Sequence, residues 1–104
     1  MNLIIGSHVS YNNKSQLLGS VKEALSYKAN TFMFYTGAPQ NTNRSVIEDS
    51  LTMEAYKLMK ENNIALEKVI VHAPYIVNLA NFNNFDFSVS FLINEVERCS
   101  TLSI

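Results

Sequence analysis

Hydrophobic and polar positions along the chain change their spacing in a regular order, from compact apolar runs to amphipathic stretches and back. The compact runs are rich in β-branched and aromatic residues, which is typical of buried strands, and they cover residues 3–5, 31–36 and 68–72. The amphipathic stretches repeat apolar residues at helical spacing, and the predicted helices cover residues 15–27, 52–62 and a segment that starts near 86. The predicted order of elements is therefore β-α-β-α-β-α.

Capping and breaking residues set the expected boundaries of these elements. Gly6 closes the first strand, and Pro74, which lacks a backbone N–H, ends the third. Ser50 or Thr52 is expected to cap the second helix, and Asp86 is expected to cap the last.

The last helix is expected to turn one apolar face towards the sheet. Four residues recur at the spacing of that face: Val89, Leu92, Val96 and Cys99. Three charged residues are predicted to face solvent: Glu95, Glu97 and Arg98. Cys99 is accordingly interpreted as a packing residue.

Alternating strands and helices predict an α/β fold with a parallel sheet and right-handed crossovers. The second strand is uninterrupted and apolar, so it is expected to be covered on both faces. Three parallel strands leave both sheet edges unpaired, whereas a TIM (β/α)8 barrel closes the sheet and takes about 250 residues. Residues 1–104 are therefore interpreted as a single partial domain, the first three βα units of such a barrel. A small open α/β sheet fits the same pattern.

Composition narrows the class of protein without identifying it. Hydrophobic residues make up 47% of the 104 positions, charged residues make up 16%, and the formal net charge is -1. With this net charge, the segment has no overall positive electrostatic potential that would attract nucleic acid, although bound metal ions can supply positive charge locally. The single cysteine, the lack of a long apolar segment and the lack of a signal-peptide pattern predict a soluble cytoplasmic protein without membrane contact.

Both histidines are placed at the carboxyl ends of predicted strands. His8 lies just after the first strand and His72 closes the third, while residues 36–40 hold the matching position after the second. Because the carboxyl ends of parallel barrel strands form the active-site face, these residues are expected to share one rim.

His72 is the better candidate for a metal ligand, because it ends a rigid apolar strand and can offer a neutral imidazole. His8 taken alone is more simply interpreted as a hydrogen-bonded structural residue. Zinc normally takes four ligands, so one histidine by itself makes no metal site.

Tyr75 and Ile76 follow Pro74 on the loop after the third strand, and they have two interpretations. The pair either packs down over the barrel mouth or projects as an apolar wedge able to enter a DNA base stack. The pattern of residues does not choose between them.

Three segments of the chain together resemble the endonuclease IV family. They are residues 6–10 (GSHVS), 30–42 (NTFMFYTGAPQNT) and 71–79 (VHAPYIVNL). The resemblance follows essentially the whole chain in order. It implies a TIM (β/α)8 barrel that binds a trinuclear zinc cluster and hydrolyses the phosphodiester 5′ to an abasic site in double-stranded DNA. The full-length enzyme is expected to be a monomer that acts in base excision repair.

The same resemblance implies roles for individual residues. His72 matches a zinc ligand, and His8 would lie beside the cluster, where it could orient ligands or bound water. Tyr75 and Ile76 match the loop pair that enters DNA at the lesion. Gln40 matches a position that probes the DNA and that carries arginine in many relatives.

Some positions depart from the family pattern. Asn12 and Asn13 replace glycines that are common in the first loop, and Ser103 stands where relatives usually have glycine after the helix. The chain ends at Ile104, before the expected fourth strand and before the family's remaining zinc ligands. The 104-residue chain alone is therefore expected to lack repair activity.

Two other interpretations use the same residues. A sugar isomerase or epimerase of the xylose isomerase-like group would share the barrel and the metal-bearing rim. The second is a non-enzymatic interpretation, in which the chain is a truncated gene product or a fragment that folds poorly or only with a complementing piece. This interpretation is compatible with the same family resemblance. The segment 37–40 and the loop with Tyr75 and Ile76 favour the nuclease over the isomerase.

Overall fold

The computed structural model describes residues 3–104, which form a parallel sheet packed against helices. Three short strands pair in the order β1-β2-β3: β1 (Gly6–His8), β2 (Thr31–Phe34) and β3 (Ile70–Val71). Three helices alternate with them: α1 (Gln16–Ser26), α2 (Asp49–Glu61) and α3 (Phe85–Leu102). Single turns of 3-10 helix precede β3 and α3, at Leu66–Lys68 and Phe82–Asn84. The predicted β-α-β-α-β-α order and the parallel α/β class are confirmed.

Strand β1 lies further along the chain than the hydrophobic pattern predicted. The prediction of a strand at residues 3–5 is wrong, because the residue that pairs with Thr31 at the start of β2 is Gly6. A Cβ atom at Gly6 would meet the Thr31 Cγ2 atom at 2.5 Å, so only glycine allows the two strands to approach there. Residues 3–5 are exposed, and the Asn30 side chain holds them by bonding the Leu3 carbonyl and the Ile5 N–H, both at 2.8 Å.

The two faces of the sheet have different environments. Phe32 and Phe34 of β2 are almost fully buried on the face that carries the helices, whereas Met33 and Tyr35 are half-buried on the other. Ile70, which pairs with Met33, is 60% exposed. The prediction that this strand is covered on both faces is wrong for residues 3–104. Helices cover one face, and the face that would point into a barrel lies open.

The hydrophobic core lies between the sheet and the first two helices. It combines the β2 phenylalanines with residues of α1 and α2 at helical spacing, which include Leu17, Val21, Ala24, Ala55 and Met59. Each of these side chains is at most 2% exposed. Burial of this apolar surface is the main favourable contribution to folding of the segment.

Helix α2 begins earlier than the sequence pattern predicted. Its first residue is Asp49 and extended Glu48 holds the capping position, so neither Ser50 nor Thr52 is the cap. Thr52 lies in the first turn, where its hydroxyl donates to the Glu48 carbonyl at 3.2 Å. A tertiary contact replaces the expected cap, because the Glu48 N–H donates to the side-chain oxygen of buried Gln16 at 3.0 Å.

Helix α3 differs from the prediction at its start and in its buried face. It begins at Phe85, so Asp86 lies in the first turn rather than at the cap. The buried positions are Ser88, Phe91, Glu95 and Leu102. Val96 is 60% exposed, whereas Glu95 is 3% exposed and Arg98 is half-buried, so the prediction that these two charged residues face solvent is wrong. Their burial has a polar cause, because the side chains of both residues join the Thr36 hydroxyl through hydrogen bonds.

The end of α3 explains why glycine suits position 103. Ser103 has φ 59° and ψ 33°, the left-handed conformation in which a Cβ atom is disfavoured. Its N–H donates to the Ser100 carbonyl and the Ile104 N–H donates to the Cys99 carbonyl, both at 3.0 Å. The Cys99 side chain is half-buried in the same turn, and burial raises the pKa of its thiol.

None of the helices found in residues 3–104 combines the length and apolar character needed to cross a bilayer.

Replacing Ser103 by glycine should raise the free energy of unfolding by about 1 kcal/mol, because glycine has no Cβ to clash in the left-handed conformation. Denaturation followed by circular dichroism measures the effect. Ser90→Gly is the matched control: Ser90 is exposed inside α3, where glycine should lower stability by about 1 kcal/mol. Effects of the same sign at both positions would contradict the assignment of strain to residue 103.

Candidate functional site

The carboxyl ends of the three strands lie side by side and form one rim. His8 is the last residue of β1, and its Cα pairs with that of Met33 in β2. Two backbone hydrogen bonds continue the pairing past the strands. The Val9 N–H donates to the Met33 carbonyl at 2.8 Å, and the His72 N–H donates to the Phe34 carbonyl at 2.9 Å. The parallel register therefore brings both histidines to the same edge of the sheet.

The Tyr35 ring packs against both imidazoles on this rim. The Tyr35 ring centroid lies 4.9 Å from that of His8 and 4.8 Å from that of His72, and the two imidazole centroids are 6.3 Å apart. From the sequence, Tyr35 was predicted only as part of an apolar strand. The signal that could have found it is the two-residue period of a strand, which puts Tyr35 on the same side as Met33.

The contacts of His72 define which ring nitrogen is available. Its Nδ1 atom lies 2.6 Å from the Ala73 carbonyl oxygen. A carbonyl oxygen can only accept, so Nδ1 carries the proton in this contact, and a neutral ring keeps its lone pair on Nε2. Histidines that bind metals commonly fix their tautomer through a backbone carbonyl in this way. The exposed His72 side chain therefore fits a metal ligand that coordinates through Nε2.

A carboxylate on α1, that of Glu23, binds the segment that follows His8. Glu23 accepts a hydrogen bond from the Ser10 N–H at 2.9 Å and another from the Tyr27 hydroxyl at 3.0 Å. The pKa of the Glu23 carboxyl is lowered mainly by the Ser10 N–H; desolvation opposes this effect, and the Tyr27 hydroxyl adds a lesser lowering. This carboxylate fixes the segment that follows His8.

Within residues 3–104, no group of three or more histidine, cysteine, aspartate or glutamate side chains is arranged to hold a metal ion. His72 and His8 are the histidines of the chain, and both stand on the rim. A structural or catalytic zinc ion takes at least three protein ligands. The two histidines of the described rim are too few by themselves for such a zinc site.

The loop after β3 lies against the loop after β2. Pro74 is buried and Tyr75 is 66% exposed, while Ile76 is half-buried. The Ile76 N–H donates to the Pro39 carbonyl at 3.2 Å, which joins the two loops by a backbone bond. Gln40, next to Pro39, is exposed. The two loops therefore present Gln40 and Tyr75 to solvent from one linked backbone unit.

An open cleft of about 590 Å³ lies next to the rim on the β1 side. Its walls include His8, Tyr35 and Asn12 together with Gly37 and Pro39 of the β2 loop. The cleft is lined by both polar and aromatic groups, so it offers hydrogen-bonding and stacking surface next to the imidazoles.

A buried ion pair below the rim connects the loop after β2 to α3. Arg44 donates through Nε to the Glu95 Oε1 atom at 2.6 Å, and the two side chains are 9% and 4% exposed. The second oxygen of Glu95 accepts from the Thr36 hydroxyl at 2.6 Å. Arg98 donates through Nε to the same hydroxyl at 3.0 Å.

Sequence reasoning missed this buried polar group because charged residues were assigned to the solvent face. The signal was present in the helical spacing of α3. The buried stripe advances by three or four residues and passes through Ser88, Phe91, Glu95, Arg98 and Leu102.

Comparison with curated proteins gives one consistent group of relatives. A protein named "Probable endonuclease 4" from Mesoplasma florum is 48% identical over 108 residues, which cover 97% of this chain and 37% of the relative. A protein of the same name from Halalkalibacterium halodurans is 55% identical over 106 residues, which cover 98% of this chain and 35% of the relative. The chain thus spans about a third of the length of these relatives. No family model matches it.

A solved structure matches the fold. The crystal structure of endonuclease IV from Thermus thermophilus aligns with a TM-score of 0.77 at 22% identity, covering 96% of this chain and 38% of that chain. At this identity the likeness concerns the fold alone. The prediction of an incomplete TIM barrel is confirmed, and the small open sheet is not favoured.

Removing the Tyr35 ring should change the surroundings of both histidines, because an aromatic ring within 5 Å strongly affects the proton resonances of its neighbours. For Tyr35→Ala we expect the ring-proton shifts of His8 and His72 to move together in NMR spectra. Phe82→Ala, which removes a ring that is 96% exposed, is the control and should leave both histidine signals in place. Unchanged histidine signals in Tyr35→Ala would contradict the rim geometry.

Proposed function

Because this chain belongs to the endonuclease IV family, we propose that it forms part of a DNA repair endonuclease that cuts the phosphodiester 5′ to an abasic site. The observation that carries the proposal is the placement of His72. This residue stands at the carboxyl end of β3 with Nε2 available, and three residues later the chain presents an exposed tyrosine. A metal ligand next to a protruding aromatic side chain suits an enzyme that acts on the backbone of a distorted duplex.

The metal proposed for this rim is zinc, as a trinuclear cluster. Of the described residues, His72 would hold one ion through Nε2, with its Nδ1 proton retained by the Ala73 carbonyl. When bound, clustered zinc ions supply positive charge to the scissile phosphate and lower the pKa of attacking water. Residues 3–104 contain no group of three side chains arranged to hold a metal ion, so the remaining ligands would come from outside this segment.

His8 is proposed to orient groups around that site. Its ring lies 4.9 Å from the Tyr35 ring and 6.3 Å from the His72 ring, centroid to centroid, so it lies close to His72 and shares the Tyr35 contact with it. An exposed imidazole in this place can exchange a proton with ordered water or with a phosphate oxygen.

The loops above the rim are proposed to contact DNA. Tyr75 is exposed and Ile76 is half-buried, so the tyrosine ring can enter the stack while the isoleucine supports it from below. Gln40 protrudes from the neighbouring loop and carries no charge, so it would contribute hydrogen bonds but no ionic attraction to phosphate. With a net charge of -1, the segment leaves electrostatic attraction largely to bound metal and to the rest of the protein.

The first test compares this chain with the full-length product of its gene for zinc content and for cleavage of duplex DNA with one abasic site. We expect the long form to bind zinc and cut, and the 104-residue chain to do neither, because a zinc site needs ligands that residues 3–104 lack. In the long form, His72→Ala should reduce bound zinc, measured by elemental analysis. Metal binding without cleavage of abasic DNA, or with activity on keto sugars, would contradict the nuclease assignment.

A second test addresses the wedge. Replacing Tyr75 by alanine in the long form should weaken binding to abasic duplex by about tenfold, since base–aromatic stacking contributes roughly 1–3 kcal/mol. Fluorescence anisotropy measures the affinity. Phe82→Ala removes another highly exposed ring and is the matched control. Equal losses for both variants would show that exposed aromatic surface in general, and not the Tyr75 position, accounts for binding.

A further inference from the structure

From the buried polar contacts below the rim, we infer that Thr36, Arg44, Glu95 and Arg98 form a positioning network that sets the placement of the DNA-contacting loops. The loops in question are the β2 loop, residues 37–47, and the β3 loop that carries Tyr75 and Ile76. This inference rests on the proposed function, because it assigns those loops to DNA contact. None of the four residues lies on the rim surface, so their role is exerted through the backbone.

Arg44 organises the β2 loop from inside. Its Nη1 atom donates to three backbone carbonyls of the loop: Ala38 at 3.1 Å, Asn41 at 3.2 Å and Asn43 at 2.8 Å. The loop is therefore folded around one guanidinium group. Gly37 permits this arrangement, because a Cβ atom there would lie 2.7 Å from Arg44 Cδ and Nη1.

Glu95 fixes this guanidinium to α3. Its two oxygens are both used, one by Arg44 Nε and one by the Thr36 hydroxyl, each at 2.6 Å. The face of the Arg44 guanidinium lies over the Phe91 ring, with its central carbon 4.9 Å from the ring centroid. Arg44 thus organises the loop, and Glu95 fixes Arg44, and the loop with it, to α3.

Arg98 closes the network at both ends of the β2 loop. It donates to the Thr36 hydroxyl at 3.0 Å, to the Thr36 carbonyl at 2.9 Å and to the Ser45 carbonyl at 2.7 Å. Thr36 directly precedes the loop and Ser45 lies near its end, so one side chain sets the distance between them.

The placement of the β2 loop is passed on to the β3 loop. Arg44 holds the Ala38 carbonyl, and the next residue, Pro39, accepts the Ile76 N–H at 3.2 Å. A shift of Arg44 would therefore move Pro39 and release Ile76, next to Tyr75. The buried network and the proposed wedge are linked through two backbone groups.

Stability alone is a weak reason for this arrangement. Replacing a buried ion pair by apolar side chains is often neutral or stabilising, so burial of Arg44 and Glu95 costs desolvation that packing would avoid. The Arg44 Nη2 atom is buried without a hydrogen-bond partner among the described residues, which adds to that cost. The charged groups make directional hydrogen bonds that fix the geometry of the loops, and apolar side chains would not make such bonds.

The test uses the full-length product of the gene and two substitutions in the network. Glu95→Gln keeps the shape and removes the charge that balances Arg44. Thr36→Val removes the hydroxyl that joins Glu95 to Arg98, and Thr36→Ser keeps it. Glu97→Gln, the same chemical change at an exposed position on α3, is the matched control.

Two readouts separate positioning from stability. For Glu95→Gln and Thr36→Val, hydrogen exchange of the Ile76 amide should become about tenfold faster, because its bond to Pro39 opens more often. The KM for abasic duplex should rise by about tenfold with kcat within about twofold, since misplaced loops weaken substrate contacts. Thr36→Ser and Glu97→Gln should leave both readouts at their original values.

Contrary outcomes are distinct for the two proposals. If Ile76 exchange is unchanged in both network variants, or if only the melting temperature falls while KM stays constant, the positioning network is overturned. If the unsubstituted protein does not cut abasic DNA, the proposed function fails. Ile76 exchange then still decides whether the network couples the two loops.

Discussion

The parallel register of three strands is the constraint on which the rest of the structure depends. Pairing of His8 with Met33, and of Met33 with Ile70, puts the carboxyl ends of all strands at one edge. Gly6 makes this register accessible, because no larger residue fits against Thr31. The rim of imidazole and phenol rings, and the loops above it, follow from the direction in which each strand ends.

A second constraint is the buried ion pair below that rim, which joins the loop after β2 to α3. Arg44 and Glu95 are held away from water at a cost in desolvation, and their hydrogen bonds are directed to loop carbonyls and to Thr36. The hydrophobic core combines residues of β2, α1 and α2. The segment thus combines an apolar core that drives folding with a polar core that defines loop geometry.

Within residues 3–104, the rim holds too few metal-binding side chains to form a zinc site by itself. His72 has a tautomer that suits metal binding, and Tyr35 packs against the rings of both His72 and His8. No third ligand group joins them in the described residues. Together with a length about a third of that of its relatives, this fits one part of a larger barrel whose inner face is still open.

The sequence by itself determined the order of elements, the parallel class and the placement of both histidines at strand ends, because local periodicity and strand direction suffice for these.

Predictions from the sequence were wrong where the position of a residue depends on contacts with residues far away in the chain. Strand β1 was placed too early, since Thr31 selects Gly6 as its partner. Glu95 and Arg98 were assigned to solvent, although Thr36 and Arg44, more than fifty residues away, bury them. Tyr35 was predicted as part of an apolar strand, whereas the register puts its ring beside both imidazoles. Only the tertiary structure decides which residues are buried in these places. A charged side chain can be buried when residues from distant parts of the chain supply its hydrogen-bond and ion-pair partners.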